Sequence, residues 1–156
     1  ILGAGGKSGM LVAWEAMKRV GPTGRVVGNV YLAEDAATLR DLGLCHEVVV
    51  ADATKPVALM DAVLAANGGA EYDVVFNCVN VQNTELSSIL PCRQEGTVYF
   101  FSMATHFGKA ALGAEGVGKD VTMIVGNGYT KGHAEITLAE LRENAKLRRL
   151  FETRYV

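Results

Sequence analysis

Apolar positions along the chain alternate between two rhythms. Short unbroken runs occur at residues 25–30, 47–51, 72–79, 96–102 and 121–126, each of strand length and rich in Val, Ile, Tyr or Phe. Between them lie segments with a single apolar face, such as Met10, Leu11, Trp14, Met17 and Val20, which predict a helix over residues 8–20. The same reasoning predicts helices over 34–42, 56–66, 84–90 and a long one over 133–151. Gly21-Pro22-Thr23-Gly24 supplies a turn, Gly43 and Asn67-Gly68-Gly69 stand just past helix ends, Pro56 sits in a first turn, and Pro91 helps to stop the fourth helix. Ile1 and Leu2 read as the end of a first strand.

Strands alternating with helices call for a parallel sheet covered on both faces, because parallel neighbours need crossover connections that bury both sides. The expected fold is α/β, a doubly wound Rossmann-type sheet of about six strands in the order 3-2-1-4-5-6. Residues 1–156 form one domain of this kind. Residues 105–119, which include several glycines, read as the least regular stretch, a loop over the site or an interface element. Only Ile1 and Leu2 precede the first turn, where a strand of about five residues is expected, so the chain reads as a piece of a longer protein.

The first turn carries the most chemistry. Gly3, Gly6 and Gly9 stand three apart between an apolar strand and an apolar helix. In a dinucleotide cradle the first glycine permits the tight turn, the second lets backbone approach a pyrophosphate, and the third lets the helix pack on the sheet. Gly3, Gly5, Gly6, Lys7, Ser8 and Gly9 are therefore the expected phosphate-side contacts, with the helix dipole and free amides aimed at the anion. Gly6-Lys7-Ser8 also fits the end of a nucleoside-triphosphate loop, but that loop needs a glycine five residues before Gly6, where Ile1 stands.

An acidic residue that grips the adenosine ribose belongs about 20 residues after the loop, at the end of the second strand. Val30 occupies that place. Glu34 and Asp35 at the next helix start either reach back to the ribose or serve only the helix dipole, so NAD is the expected cofactor and NADP stays open. Ligands in such folds lie across the carboxyl ends of the strands, which adds Asn77, Asn80, Ser102 and Asn127 as candidates for the nicotinamide side. His106, His133 and Lys131 also fall on that edge, but no catalytic residue can be singled out among them.

Composition narrows the remaining choices. Hydrophobic residues make up 49% of the chain, which fits a packed core, and 15 basic against 17 acidic residues leave no basic patch for nucleic acid. Cys45, Cys78 and Cys92 lie too far apart for a metal or disulfide motif, so a reducing cytoplasmic setting and no metal are expected. The cysteines are read as small buried hydrophobes, with a functional role left open for Cys78 at its strand end. No apolar run reaches the roughly 18 residues of a membrane span, and no export leader is read at the start, so contact with a membrane is not expected.

The chain resembles the cofactor-binding half of medium-chain dehydrogenase/reductases, in the zinc-free quinone-reductase-like branch whose loop runs Gly-x-x-Gly-x-x-Gly. The stretches that carry this are Leu-Gly-Ala-Gly-Gly-Lys-Ser-Gly-Met at 2–10, Val-Phe-Asn-Cys-Val-Asn at 75–80 and Thr-Val-Tyr-Phe-Phe-Ser-Met-Ala at 97–104. Residues 109–119 and 126–133 add to them. More narrowly, these segments are similar to amino-acid dehydrogenases of bacterial lysine fermentation. The resemblance implies oxidative deamination of a small amino-acid substrate at a β-amino carbon, with hydride passing to a nicotinamide. It also implies a substrate cleft shared with an N-terminal catalytic domain, and it is compatible with a homo-oligomer. A quinone or enoyl reductase of the same fold and a free-standing, non-catalytic dinucleotide-binding module are the alternatives.

Overall fold

A computed structural model of the chain describes residues 1–126 and 130–156. Its elements run α1 (Lys7–Arg19), β1 (Val27–Val30), α2 (Ala33–Asp41), β2 (Glu47–Val50), α3 (Pro56–Ala66), β3 (Tyr72–Asn77), α4 (Glu85–Ile89), β4 (Cys92–Phe100), α5 (Phe107–Gly116), β5 (Thr122–Val125), α6 (His133–Glu143) and α7 (Ala145–Tyr155). Every strand pairing is parallel: β1 with β2, β3 with β4, and β4 with β5. Leu2 bridges Asn29 on one side and Asn77 on the other, and so joins β1 to β3 through a single residue. Five strands are thus formed among the described residues rather than six. Of the expected first strand the sequence holds only Ile1 and Leu2, and these pair with the neighbouring strands before Gly3 turns the backbone with a φ of 71°.

The core lies on both faces of the sheet, as parallel strands require. One face packs Leu59, Val63, Ile89 and Ala110 from α3, α4 and α5 against Val75, Val98 and Phe100. The other packs Met10 and Ala13 of α1, Leu39 of α2, and Leu147 and Phe151 of α7 against Val30 and Val48. Residues in central β1 are buried on both sides, so the strand reads as an unbroken apolar run apart from Asn29, whose side-chain amide donates to the Ala51 carbonyl at 3.0 Å.

Two expectations need correction. Residues 105–119 are not an irregular loop: α5 forms within them, capped by the His106 ring, which accepts from the Lys109 amide, and seated through Ala110 and Ala114. Alanines four apart make a narrow helix face that the glycines around it obscure in sequence. The single long helix over 133–151 is two helices. Asn144 leaves the helical conformation (φ −113°, ψ 96°) and its side chain accepts from the Leu147 amide at 3.0 Å, which ends α6 and caps α7. The break re-aims the chain so that Leu147 and Phe151 reach the core.

Helix α6 is tied to α1 by charge. Lys18 of α1 contacts Glu15 and Glu143, each at 2.8 Å, and Glu140 is buried beside Glu15 at 3% exposure. Burial, reinforced by the hydrogen bond and charge of Glu15, pushes the Glu140 carboxyl up to about 7, while the Lys18 ammonium holds Glu15 down at about 2. Between the ordinary 4.5 and about 7, folded Glu140 keeps a proton that the unfolded chain has released. Stability contributed by this site therefore falls as pH rises through that window and levels off above it. Glu140→Gln keeps a donor for Glu15 without the titration. It is expected to flatten that part of the urea-unfolding pH profile and to exceed the unsubstituted chain at pH 8 by about 1 to 2 kcal/mol. A parallel profile for the two proteins would refute this.

Candidate functional site

The turn between Leu2 and α1 is built by glycines with separate duties. Gly3 takes a positive φ of 71°, and a Cβ there would stand 3.0 Å from the Cys78 carbonyl carbon and the Val79 nitrogen, so the turn lies flat against the end of β3. Gly9 is tighter. A Cβ on it would come within 2.2 Å of the Gly3 carbonyl oxygen and 2.8 Å of the Ala4 Cα, which leaves α1 in direct backbone contact with the strand end it follows. Gly6, in contrast, would meet only the Gly3 oxygen at 3.5 Å, an ordinary contact, and it is exposed. The open side of Gly6 is where a phosphate can approach backbone.

Gly6 is also the N-cap of α1 and supplies no side chain to cap it. The first-turn amides, Lys7 and Ser8 among them, thus face outward without the side-chain acceptor that most helix starts recruit. No acidic residue occupies this first turn, so nothing there competes with an incoming anion. The residues present therefore fit a pyrophosphate. Lys7 does not lean over this cradle: its ammonium sits 4.5 Å from the centre of the Tyr155 ring on α7.

No acidic residue ends β1, but one from the next helix lies against the glycine turn. Val30 is buried and followed by Tyr31, which is 71% exposed. Asp35, in the first turn of α2, lies against the loop: a Cβ on Gly5 would meet its Cβ at 2.8 Å and its Oδ2 at 3.1 Å. Arg154 of α7 contacts the other oxygen, Oδ1, at 3.4 Å and the Thr38 hydroxyl at 3.4 Å. Of the two carboxylates open at the sequence level, Glu34 stays exposed, whereas Asp35 reaches the cradle.

The other candidates divide by placement. Asn77 turns inward. It is fully buried, its amide nitrogen donates to the Thr84 and Ser88 hydroxyls at 2.9 Å each, and its oxygen accepts from the Val79 amide at 2.9 Å. It braces the loop after β3, a role that an Asn at a strand end does not reveal in sequence. Asn80 is exposed beyond it, and the Ser102 hydroxyl accepts from the Ala104 amide at 3.1 Å in the turn after β4. Asn127 lies outside the described residues. His106 is engaged as the α5 cap, its amide donating to buried Glu85 at 2.7 Å, and His133 starts α6 with its Nδ1 2.7 Å from the Thr130 carbonyl. Lys131 is exposed in the turn before α6.

The thiols show no activated member. Burial pushes Cys45 and Cys78 up to about 11, which favours the protonated thiols at neutral pH. Asp52, just past the second apolar run, accepts from the amide and hydroxyl of Thr54 at 2.8 and 2.7 Å in a turn of its own. Among the described residues no three His, Cys, Asp or Glu side chains gather as metal ligands, and no helix is long and apolar enough to cross a membrane. Sequence reasoning missed the apolar character of this edge. Beyond β1 and β4, Tyr31 and Met103 are exposed, Met103 at 99%, and the Thr105 hydroxyl is buried with no partner among the described residues.

No family model matches the chain. Curated relatives do. The chain is 64% identical over all 156 residues to the L-erythro-3,5-diaminohexanoate dehydrogenase of Acetoanaerobium sticklandii and 61% identical to that of Fusobacterium nucleatum subsp. nucleatum. It spans 45% of the length of each. Among solved structures it resembles AibC, with a TM-score of 0.67 and 17% identity over 94% of this chain and 38% of that one. It also resembles the nucleotide-binding subdomain of the enoylreductase domain of PpsC from Mycobacterium tuberculosis, with a TM-score of 0.63 and 20% identity over 97% of this chain and 78% of that one. A mycobacterial protein solved with NADPH matches 99% of this chain and 46% of its own length, with a TM-score of 0.59 and 17% identity. The chain thus shares the parallel α/β fold of these solved structures and is similar along its whole length to two L-erythro-3,5-diaminohexanoate dehydrogenases, of which it spans 45%.

Proposed function

We propose that this chain is the nicotinamide-dinucleotide-binding part of an oxidoreductase that oxidatively deaminates 3,5-diaminohexanoate to 5-amino-3-oxohexanoate, a step of lysine degradation. The observation that carries the reading is the cradle. Gly9 presses α1 onto the strand end, Gly6 is left open, and the first turn of α1 is uncapped and free of acids. That combination suits the linked phosphates of a dinucleotide. The 61–64% identity to two named dehydrogenases supports the substrate class.

The chain's own residues then have distinct tasks. Backbone amides at the start of α1 bind the pyrophosphate, and Gly3 keeps the turn flat enough for it to sit close. Asp35 accepts from the hydroxyls of the adenosine ribose, and exposed Tyr31 offers a face for the adenine ring. When bound, the nicotinamide supplies the hydride acceptor for the amine-bearing carbon. The substrate imine left behind is hydrolysed by water to the ketone and ammonium. A carboxylate at Asp35 disfavours the extra 2′-phosphate of NADP, which makes NAD the proposed carrier. The substrate cleft and the proton-handling group are assigned to the remainder of the longer protein.

Fluorescence titration with NADH and NADPH tests this directly. Saturable NADH binding is expected, with NADPH at least about tenfold weaker, the effect of one unfavourable charge contact of about 1.4 kcal/mol. Failure of both at millimolar concentration would sink the cofactor reading. A preference for NADPH would overturn the role given to Asp35 and leave the cradle standing.

A further inference from the structure

We infer that Arg154, on the last helix of the chain, is a positioning residue for cofactor recognition: it holds the Asp35 carboxylate against the glycine turn and so sets how the adenosine ribose is read. The inference rests on the cofactor reading above and extends it to a helix with no part in the usual βαβ recognition unit.

Asp35 sits in the first turn of α2, where it has only a short side chain with which to reach the cradle. Its two oxygens face different partners. Oδ2 lies over Gly5, 3.1 Å from where a Cβ would stand, while Oδ1 is 3.4 Å from Nη1 of Arg154. The second guanidinium nitrogen reaches the hydroxyl of Thr38, one turn along α2, so the Arg154 fork spans two residues of the same helix face. With one nitrogen on the carboxylate and the other on Thr38, the planar fork fixes the direction of its single contact to Asp35 more than a point charge would. Oδ2 is left on the cradle side, where a ribose hydroxyl can donate to it.

Helix α7 is firmly seated, which is what allows Arg154 to act at a distance in sequence. Leu147 and Phe151 are buried in the core with Met10 and Leu39, and Phe151 meets Tyr155 edge-on with ring centres 5.1 Å apart. Tyr155 in turn carries the Lys7 ammonium on its ring face. Two adjacent residues of α7 therefore contact two residues that flank the glycine turn, Arg154 holding Asp35 and Tyr155 drawing the Lys7 side chain away from it. Because the Asp35 and Arg154 side chains remain 25% and 32% exposed, their ion pair is a modest one and its effect on affinity is correspondingly small.

The test compares NADH with its 2′-deoxyadenosine analogue, which lacks the hydroxyl that Asp35 would accept from. Arg154→Ala is expected to weaken NADH about two- to fivefold, the range for an exposed pair, and to leave the deoxy analogue unchanged. Arg154→Lys, which keeps the charge without the fork, should fall between. In an Asp35→Ala background the Arg154 substitution should have no further effect, since the two residues then no longer interact. Equal weakening of both ligands, or an Arg154 effect that persists without Asp35, would show a merely structural role and overturn the inference. If the unsubstituted protein binds neither ligand, the cofactor reading itself fails and takes this one with it.

Discussion

Gly9→Ala is expected to abolish dinucleotide binding and to destabilise the fold by about 3 kcal/mol, the upper part of the range for overpacking. A methyl group there has nowhere to go. Its nearest neighbours are the Gly3 carbonyl oxygen at 2.2 Å, the Ala4 Cα at 2.8 Å and the Ala4 carbonyl carbon at 3.0 Å. All three are backbone atoms of the turn itself, so relief requires α1 to move bodily off the strand end. That movement withdraws the amides at the start of α1 from the position a pyrophosphate would occupy and opens the packing of Met10 and Ala13. Urea unfolding and NADH titration read the two consequences separately. Gly6→Ala is the matched control: with only the Gly3 oxygen at 3.5 Å it should fold normally and lose affinity alone. Near-native stability in Gly9→Ala would mean that the helix and turn are not in the contact described.

Asn77→Ala is the second large effect, and its direction separates a brace from a ligand contact. The buried amide satisfies the Thr84 and Ser88 hydroxyls and the Val79 amide at once. Removing it strands a main-chain donor and two hydroxyls that have lost a partner, at a cost of about 2–4 kcal/mol. The affinity for NADH of the fraction that remains folded should change by less than about threefold, roughly 0.6 kcal/mol. A substitution that spares stability and removes binding would instead place Asn77 at the cofactor.

The contrast between these two positions shows what kind of information a sequence holds. Gly9 is legible because its requirement is local: a glycine three residues past another, between an apolar strand and an apolar helix, marks the place where a helix start presses on a strand end. Asn77 is not, because a strand-end amide looks the same whether it turns toward solvent or inward. Its direction is decided by α4, which brings Thr84 and Ser88 beneath it. The last two helices follow the same logic. Asn144 is a cap by residue type, but an apolar periodicity that continues across it hides the break until Leu147 and Phe151 are seen entering the core. Residues 105–119 hide a helix for the opposite reason, since α5 is seated by two alanines rather than by large side chains.

By itself the sequence determined the alternation of strands and helices, the parallel sheet covered on both faces, and the glycine turn suited to a dinucleotide. Each of these follows from backbone sterics and the burial of apolar faces over a few neighbouring residues. Only the tertiary structure decided that Asp35 lies against the glycine turn beyond Val30, that Arg154, 119 residues later, contacts it, and that Lys7 rests on Tyr155. Those contacts depend on how separate helices are set against one sheet, and no periodicity within a single segment records the orientation of another.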